Sequence, residues 1–377
     1  MSALRRVWVM AKGYAPDEGG MQTYAAGVAL AYRAAGWDVS VLTQTSAGPR
    51  TLVLDGIKLI DIGPGKSPRT AWHWVRALRG AIAREGAPAF VHGTTWRTSL
   101  IPLALGLRCI TTFHGREFAM PQGAVAAAMR WVARRAIRTV AVSHYTAARL
   151  AELVDLPQPP LVAWNGPSFA APTKADPSIV ALWPGTEGPL LLSLCRLEPR
   201  KNIAAAIEAC AILRDQGQSF RFLIAGRGPD SEALATLIER HDLHRCVRLA
   251  GFVPTAQVPV LYDAADIFVH PQLALAGNRD FEGFGIAVAD AMVASAAVVI
   301  GREGASPELV EDGISGLIVD GRDPQAVARA LVRLIADPAA RDAMAAAGQD
   351  RASRLFRWDR HVAAILQAVG ESAEPSL

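Results

Sequence analysis

The sequence has no apolar run long enough to cross a membrane as a helix. Its longest uncharged stretch runs from Leu156 to Thr173 and contains five prolines, a density that a spanning helix of about 20 residues does not tolerate. The apolar run after Arg5 and Arg6 is too short for a secretion signal. The four cysteines lie far apart, without a Cys-x-x-Cys pair. Reduced thiols and a cytoplasmic protein are therefore expected.

Common phosphate- and metal-binding motifs are also missing. The segment GYAPDEGG matches neither the GxGxxG pattern nor the GxxxxGK[ST] pattern, which disfavours nicotinamide-dependent enzymes and nucleotide hydrolases. The sequence has no Asp-x-Asp triplet to hold a metal ion. His241 and His244 have an HxxH spacing, but we expect them to be solvated at a helix C-terminus. No metal site is predicted.

What is present describes a globular chain of two domains. With 377 residues, 51% hydrophobic and 20% charged, the composition excludes disordered and fibrous proteins. Residues 1–170 contain 19 Lys/Arg and 9 Asp/Glu, whereas the remaining residues contain 20 and 26. The basic half favours an anionic partner. Its tryptophan- and arginine-containing helices around Trp72 and Trp74 favour a membrane surface, and they resemble no nucleic-acid-reading module. Core tryptophans beside solvated arginines are the alternative.

The order of predicted elements gives the fold class. Short β-rich runs alternate with amphipathic segments, and the same rhythm restarts at Pro189, which predicts two doubly wound α/β domains. The predicted boundaries are 1–168 for the first domain, 169–186 for a proline-rich linker and 187–355 for the second domain. A final helix within 356–377 is expected to pack back on the first domain.

In such sheets, ligands bind beyond the carboxyl ends of strands, so the loops there are the candidate sites of the first half. Gly19 and Gly20 precede a helix, and their backbone N–H groups together with the helix N-terminus favour a phosphate. A purely structural turn remains an alternative. His114 follows the strand CITTF and is the predicted functional imidazole, with His92 as a competitor.

The second half offers a basic loop, LCRLEPRKN, after its first predicted strand. Arg196, Lys201 and the following helix N-terminus suit a diphosphate, because each supplies positive charge or donors to the same oxygens. A solvated basic turn paired with Glu198 is the alternative. After the next strand, Gly228 lies in AGRGPDSEAL, which a tight turn also explains.

The segment FEGFGIAVADAM supplies two carboxylates at a spacing of eight residues. Glu282 lies in a glycine-rich loop, Gly285 leads into a helix, and Asp290 lies about two turns along that helix. Two such acceptors suit the hydroxyls of a sugar or ribose. Acid and base of a hydrolase, or an exposed position for Asp290, remain alternatives.

Together these motifs closely resemble the retaining glycosyltransferases of family 4, which have the GT-B fold of two Rossmann-like domains facing a central cleft. The resemblance extends over nearly the whole chain. The matching segments are EGGMQTY, TFHG, VSHYTAARL, WNGP, RLEPRKN, GRGP, VHP, EGFGIAVAD and DGISGLIVDGRDPQAVA.

The resemblance implies a nucleotide-diphosphate-sugar donor on the second domain and an acceptor on the first. It assigns the diphosphate to Arg196 and Lys201, and the donor sugar to Glu282. The implied site residues also include Gly19, Gly20, Gly228, the amides of Phe284 and Gly285, Asp290 and, near the reacting centre, His114. Asp290 stands where the family usually has a second glutamate that holds the ribose, and it is shorter by one methylene.

The implied reaction is metal-independent transfer of a hexose from a UDP- or GDP-sugar to an acceptor hydroxyl, with retention and no resident cofactor. Expected acceptors are a glycan, a lipid-linked molecule or a small molecule, and the protein is expected at the inner face of the cytoplasmic membrane. Two alternatives are a sugar-nucleotide epimerase or inverting transferase of the same fold, and a catalytically silent GT-B partner protein.

Overall fold

The structure, a computed structural model, describes residues 5–15, 17, 19–65, 68–118, 122–169, 187–277 and 279–371. The chain forms two compact units. The first comprises residues 1–166 and 357–377, and the second comprises residues 167–356. Of the predicted linker, residues 170–186 lie outside the described ranges.

The first unit is built on an eight-stranded sheet with the order β3-β4-β2-β1-β5-β6-β7-β8. All neighbouring strands are parallel except β3 and β4, which are antiparallel. The strands are β1 (Arg6–Met10), β2 (Asp38–Thr43), β3 (Pro49–Leu54), β4 (Ile57–Ile62), β5 (Phe90–Gly93), β6 (Cys109–Phe113), β7 (Arg138–Ala141) and β8 (Leu161–Val162).

The helices of this unit follow the strands, as parallel crossovers require. They are α1 (Gly20–Ala34), α2 (Pro68–Glu85), α3 (Trp96–Ala104), α4 (Gly123–Arg135), α5 (His144–Leu153) and, from the end of the chain, α12 (Trp358–Ala368). Hydroxyl side chains cap two of them: Thr95 accepts from the backbone of Thr98 at α3, and Ser143 from that of Thr146 at α5. Such caps fix where a helix begins.

The C-terminal helix α12 packs on α1 within the first unit. A Cβ placed on Gly27 of α1, or on Gly166, would overlap the indole of Trp358. Only glycine leaves room for that ring at both positions, so the two glycines form a slot for the start of α12.

The second unit contains a six-stranded parallel sheet with the order β11-β10-β9-β12-β13-β14. Its strands are β9 (Leu190–Leu194), β10 (Arg221–Ala225), β11 (Val247–Gly251), β12 (Ile267–His270), β13 (Ala297–Gly301) and β14 (Leu317–Val319). Its helices are α6 (Ile203–Asp215), α7 (Ser231–Arg240), α8 (Val258–Ala264), α9 (Ile286–Val293), α10 (Pro324–Ala336) and α11 (Pro338–Leu355).

This strand order reverses direction between β9 and β12, which pair with each other. The crossover from β9 leads to β10 on one side, and the later strands add on the other side. Because loops diverge at such a reversal, the carboxyl ends of β9 and β12 form the ligand-binding crevice of a doubly wound sheet. The sequence places RLEPRKN after β9 and the loop to Glu282 after β12.

The central strands of both sheets are apolar, as expected where helices cover both faces of a sheet. In β13 every residue is buried, and Leu191 and Leu192 of β9 are fully buried. Across the described residues, no helix has the length and apolarity needed to cross a membrane.

Candidate functional site

The loop after β9 is fixed by a short 3₁₀ turn, Pro199–Lys201, and by the residue that follows it. Asn202 has a left-handed backbone (φ 54°) and begins α6. Its side-chain amide donates to the carbonyls of Pro271 (3.0 Å) and Gly321 (2.6 Å). These bonds tie the turn to the chain beyond β12, which explains how an uncommon backbone conformation is maintained.

Glu282 meets the cations of this turn. Its Oε2 accepts hydrogen bonds from Lys201 and, at 2.9 Å, from Nη1 of Arg200. The Nε2 of His270, the last residue of β12, lies 3.5 Å from the same oxygen. Arg200 and Lys201 are each only 8% exposed. We call the group Glu198, Arg200, Lys201, His270, Asp280 and Glu282 the ionic cluster.

Charge compensation sets the protonation of the ionic cluster. Burial alone would raise the pKa of Glu282, but the charge of Lys201, the nearby Nε2 of His270 and the charge of Arg200 outweigh it and hold that pKa well below its ordinary value. Burial and the nearby Lys201 lower the pKa of His270 to about 4. At neutral pH, Glu282 is therefore a carboxylate and His270 a neutral imidazole.

Arg196 and Lys201, the predicted diphosphate pair, differ in environment. Lys201 is buried and paired with Glu282, whereas the side chain of Arg196 is 66% exposed and lies 3.1 Å from Glu198. Arg196 is therefore free to change its conformation at little cost, since exposed ion pairs are weak. Lys201 can bind a ligand only if its ammonium contacts the ligand and Glu282 together, or if it gives up Glu282 for the ligand.

The predicted amides of Phe284 and Gly285 lie at the start of α9. Gly285 is the N-cap with φ 99°, a conformation that favours glycine, and a Cβ there would lie 2.9 Å from Oγ of Ser306. The ring of Phe284 is buried and packs edge-on against Phe356, with ring centroids 5.6 Å apart. The side chain of Phe284 is thus a core group, and only its backbone is suited to contact a ligand.

Asp290 lies on α9 and is only 4% exposed, so the exposed-face alternative is wrong. Its carboxylate accepts hydrogen bonds from the backbone N–H (2.7 Å) and hydroxyl (2.6 Å) of Ser168. Burial raises its pKa to about 7, although the two bonds oppose the rise. A ribose could reach these oxygens only by displacing Ser168, so the ribose contact stays a prediction.

Gly228 lies where the loop after β10 approaches the loop after β9. A Cβ on Gly228 would lie 2.0 Å from the carbonyl oxygen of Leu197. The Gly228 N–H faces Oγ of Ser231 at 3.2 Å. These contacts agree with the tight-turn explanation for this glycine, and its contact with a donor stays a prediction.

In the first unit, Gly19 and Gly20 lie after β1 and are exposed. Gly19 has φ 142°, and α1 begins at Gly20. No atom lies within 4 Å of a Cβ placed on Gly20. The space beside Gly20 is thus open at the start of α1, as a phosphate-binding loop requires.

His114 follows β6, and its imidazole is partly buried. Its Nε2–H donates to the carbonyl of Thr94 at 2.8 Å, and its ring stands edge-on to Tyr24 with centroids 4.5 Å apart. Burial lowers the pKa of His114 despite the opposing effects of Glu117 and the Thr94 bond. At neutral pH the ring is therefore neutral, with Nδ1 as a hydrogen-bond acceptor.

The competitor, His92, is fully buried inside a hydrogen-bonded group that we call the tyrosine network. Its members are Tyr24, Tyr32, His92, Thr112 and His361. Because His92 has no exposed surface, it cannot contact a ligand directly in this structure. His114 is the better placed of the two imidazoles.

The tyrosine network has one consistent direction of donation. Nδ1 of His361 lies 3.1 Å from the carbonyl of Trp164, which only accepts, so this nitrogen carries the hydrogen. Burial lowers the pKa of His361 to about 4, so its Nε2 is an acceptor. The hydroxyl of Tyr24, 3.0 Å away, must then donate to it.

The remaining donors follow from that assignment. The Tyr24 oxygen accepts from Thr112 (2.9 Å), and Thr112 accepts from Nε2–H of His92 (2.8 Å). Tyr32 donates to Nδ1 of His92 at 3.1 Å. Burial, together with the neighbouring His361, lowers the pKa of His92 to about 3, so this ring is also neutral. The network is uncharged and closed.

Sequence reasoning missed two kinds of residue. Arg200 and His270 stand inside the quoted segments RLEPRKN and VHP, but nothing in the sequence shows that they meet at Glu282. Tyr24 and His361 are separated by 337 positions. A histidine within an otherwise amphipathic C-terminal helix was the available signal for His361. In the described parts of the chain, no three His, Cys, Asp or Glu side chains are grouped to hold a metal ion.

Comparison with known proteins decides the family. The model described as Glycosyltransferase Family 4 matches residues 18–166, and the one described as Glycosyl transferases group 1 matches residues 182–351. A GDP-mannose-dependent alpha-(1-6)-phosphatidylinositol monomannoside mannosyltransferase of Mycolicibacterium smegmatis is 30% identical over 280 residues, which are 70% of this chain and 73% of that protein. The chain belongs to the family 4 glycosyltransferases.

Other similarities are more local or more distant. The amylovoran biosynthesis glycosyltransferase AmsK of Erwinia amylovora is 40% identical over 144 residues, 38% of this chain, and the match spans only 35% of that relative. Sucrose-phosphate synthase from Thermosynechococcus elongatus superposes with a TM-score of 0.80 at 21% identity, covering 96% of this chain and 98% of that one. The predicted GT-B fold of this family 4 member is confirmed.

Proposed function

We propose that this family 4 glycosyltransferase transfers a hexose from a nucleotide-diphosphate sugar to an acceptor hydroxyl, with retention of anomeric configuration. The observation that carries the proposal is the ionic cluster at the strand-order reversal, where Lys201 pairs with Glu282. The two groups match the two ends of such a donor, a polyhydroxylated sugar and a diphosphate.

GDP-mannose is the first donor to test. The relative that matches over most of both chains is described as GDP-mannose-dependent. A UDP-hexose is the second donor, because none of the contacts described here distinguishes the two bases. We propose no resident cofactor, since the nucleotide sugar is itself a substrate.

Catalysis is proposed to rest on charge. When the bond between the anomeric carbon and the diphosphate breaks, negative charge grows on the leaving phosphate. Lys201 and the exposed Arg196 would stabilise that charge, and no metal is needed for this role. Glu282 would accept hydrogen bonds from sugar hydroxyls, while the amides at Phe284 and Gly285 and the glycine-rich loop at Gly20 would bind sugar and phosphate oxygens.

His114 is proposed to orient the sugar through Nδ1, and not to attack it. Its Nε2–H is committed to the Thr94 carbonyl, and its lowered pKa keeps the ring uncharged. The acceptor hydroxyl would attack on the face from which the diphosphate leaves, and its proton would pass to the leaving phosphate. This route gives retention without a covalent sugar–enzyme intermediate.

The test is to incubate the purified protein with GDP-mannose or UDP-glucose, with and without candidate acceptors, and to follow nucleoside diphosphate release. Proton NMR of the new glycosidic bond then reports its configuration. Inversion, or a new hexose nucleotide without nucleoside diphosphate release, would favour the inverting or epimerase alternatives. Binding of nucleotide without any turnover would favour a silent partner protein.

We also propose that the acceptor is met at an anionic membrane surface, at the inner face of the cytoplasmic membrane. Residues 68–135 contain ten arginines and two acidic residues. On α2, Trp72 is 57% exposed and Arg76 lies over its ring at 5.4 Å, whereas Trp74 is buried. Trp131 of α4 is 39% exposed. Exposed tryptophans beside arginines suit a lipid interface.

Vesicle sedimentation tests this surface. Phosphatidylglycerol vesicles should retain the wild-type protein at low salt. Retention should fall several-fold in Trp72→Ala/Arg76→Ala, because this variant loses the ring that would insert into the lipid interface and a positive charge beside it. Arg329→Ala, an exposed arginine of the second unit, is the control. Equal retention of wild type and double variant would remove α2 from the proposal, and a soluble acceptor would replace the lipid.

A further inference from the structure

Arg200 is the most constrained cation of the ionic cluster. Its Nη1 lies 2.9 Å from Glu282, its Nε 3.4 Å from Asp280, and its Nη2 3.6 Å from Glu198. Its carbonyl accepts from the backbone N–H of Leu273 at 2.8 Å. A planar guanidinium with three carboxylates around it loses several contacts if it moves. Arg200 is therefore fixed in place.

Lys201 is held more weakly than its neighbour. Its ammonium pairs with a single carboxylate, Glu282, through a flexible four-carbon stem. The same oxygen of Glu282 also accepts a hydrogen bond from Arg200 and lies 3.5 Å from Nε2 of His270. Oε2 of Glu282 thus keeps its hydrogen bond from Arg200 if the ammonium of Lys201 turns away.

We propose that Arg200 is a positioning residue that keeps Glu282 ionised and oriented while Lys201 exchanges this carboxylate for the diphosphate of the donor. The inference rests on the proposed function, since it assumes that Lys201 binds a nucleoside diphosphate. It adds a division of labour between two adjacent cations: Arg200 remains with the carboxylate and Lys201 moves to the ligand.

The physical need for Arg200 comes from burial. A carboxylate in a poorly solvated site without a cation takes up a proton instead of remaining charged. The groups that face Glu282 are Arg200 and Lys201 from the turn and His270 from β12, with Cys195, Glu198 and Asp280 close by. With Lys201 on the diphosphate, only Arg200 supplies a positive charge, because His270 is neutral.

The test is isothermal titration calorimetry with GDP and with UDP at pH 7, in buffers of different ionisation enthalpy. Comparison of the buffers gives the number of protons taken up on binding. In Arg200→Gln we expect about one proton more than in the wild type, because Glu282 protonates as Lys201 leaves. We also expect about tenfold weaker binding. Arg200→Lys, which keeps the charge, should restore both values.

Two controls separate this role from a structural one. Arg351→Gln removes a partly buried arginine of the same unit that bonds to the carbonyls of Leu309 and Glu308, and it should bind like the wild type. In Arg200→Gln/Glu282→Gln the extra proton should disappear. Equal proton uptake in the wild type and Arg200→Gln would overturn the proposal.

Glu282→Gln gives a second test if Arg200→Gln does not fold. Since this variant frees Lys201 from its carboxylate, it should bind GDP or UDP several-fold more tightly than the wild type, although the sugar contact is lost. Weaker binding would contradict the exchange. If the wild type binds neither nucleotide, the proposed function itself fails, an outcome distinct from wild-type binding without the expected differences among variants.

Discussion

The ionic cluster of the second unit and the tyrosine network of the first unit differ in how their hydrogen-bond donors and acceptors are matched. The network runs from Tyr32 to the Trp164 carbonyl with one donor for each acceptor and no net charge. The ionic cluster instead brings two cations and a histidine to one oxygen of Glu282. The first arrangement has no spare group, whereas the second brings two cationic donors to a single oxygen.

The two centres therefore differ in how they respond when a hydrogen bond is broken. A closed neutral network resists rearrangement, because every broken bond leaves a buried polar group unsatisfied. It suits a supporting role beneath Tyr24, whose ring stands against His114. In the ionic cluster, Lys201 can turn to an anion while Glu282 keeps its hydrogen bond from Arg200. The second unit therefore contains the centre that can respond to a ligand.

The largest expected effect concerns the ionic cluster. Lys201→Met and Glu282→Gln should each lower donor turnover at least about a hundredfold, because each removes a contact that strengthens as charge separates. Steady-state kinetics with the active donor measures the loss. Lys58→Met, which removes a lysine paired with Glu85 in the first unit, should keep near-normal rates. Normal rates in both site variants would refute the site.

Asp290 is a second buried carboxyl group of the second unit. Unlike Glu282, it accepts its hydrogen bonds from neutral donors, the backbone N–H and hydroxyl of Ser168. Its pKa is raised to about 7, against about 3.9 in the unfolded chain. The stability that it contributes is thus complete below pH 4 and is lost as the pH rises to 7. Asp290→Asn should therefore gain stability relative to the wild type between pH 4 and 8, by a few kcal/mol at most.

Thermal unfolding of the wild type and Asp290→Asn across that pH range measures the effect. The two melting temperatures should approach each other or cross as the pH rises. Asp323→Asn, at the exposed N-cap of α10, should show no such trend. A pH-independent difference between wild type and Asp290→Asn would mean that Asp290 is ionised throughout.

The smallest expected effect concerns the uncharged tyrosine network. Tyr24→Phe removes the hydroxyl that donates to His361 and accepts from Thr112, so it should destabilise the protein by about 1–3 kcal/mol. Tyr262→Phe is the matched control, because that hydroxyl is buried with no hydrogen-bond partner within the described residues. It should be neutral or stabilising. Equal losses in the two variants would show that the network adds nothing.

The sequence was sufficient to identify the loops that contain the site residues. It was insufficient to predict which of their cations pair with which carboxylates. Strand-end residues such as Lys201 and Glu282 could be identified because glycine, basic and acidic residues interrupt apolar strands, and parallel strands place such residues at one edge. Which cation meets which carboxylate depends on strand order, and β9 lies beside β12 only through the chain reversal. That neighbour relation brings Arg200 to Glu282.

Burial was likewise not readable residue by residue. Trp72 and Trp74 are two positions apart on one amphipathic helix, yet the first is exposed and the second packs into the core. At 100° per residue, they lie on different faces of α2. His92 and His114 each precede a glycine near the end of a predicted strand, but only the structure shows that His92 lies within β5 and is fully buried, whereas His114 follows β6 and is partly buried.

The slot that Gly27 and Gly166 provide for Trp358 has a practical consequence for dissecting the gene. A fragment ending at residue 166 would encode the first sheet without the helix that fills its slot, and an open apolar groove of this kind promotes aggregation. A stand-alone version needs a splice joining residue 166 to residue 357. The second unit, by contrast, is one uninterrupted stretch and can be excised with two cuts.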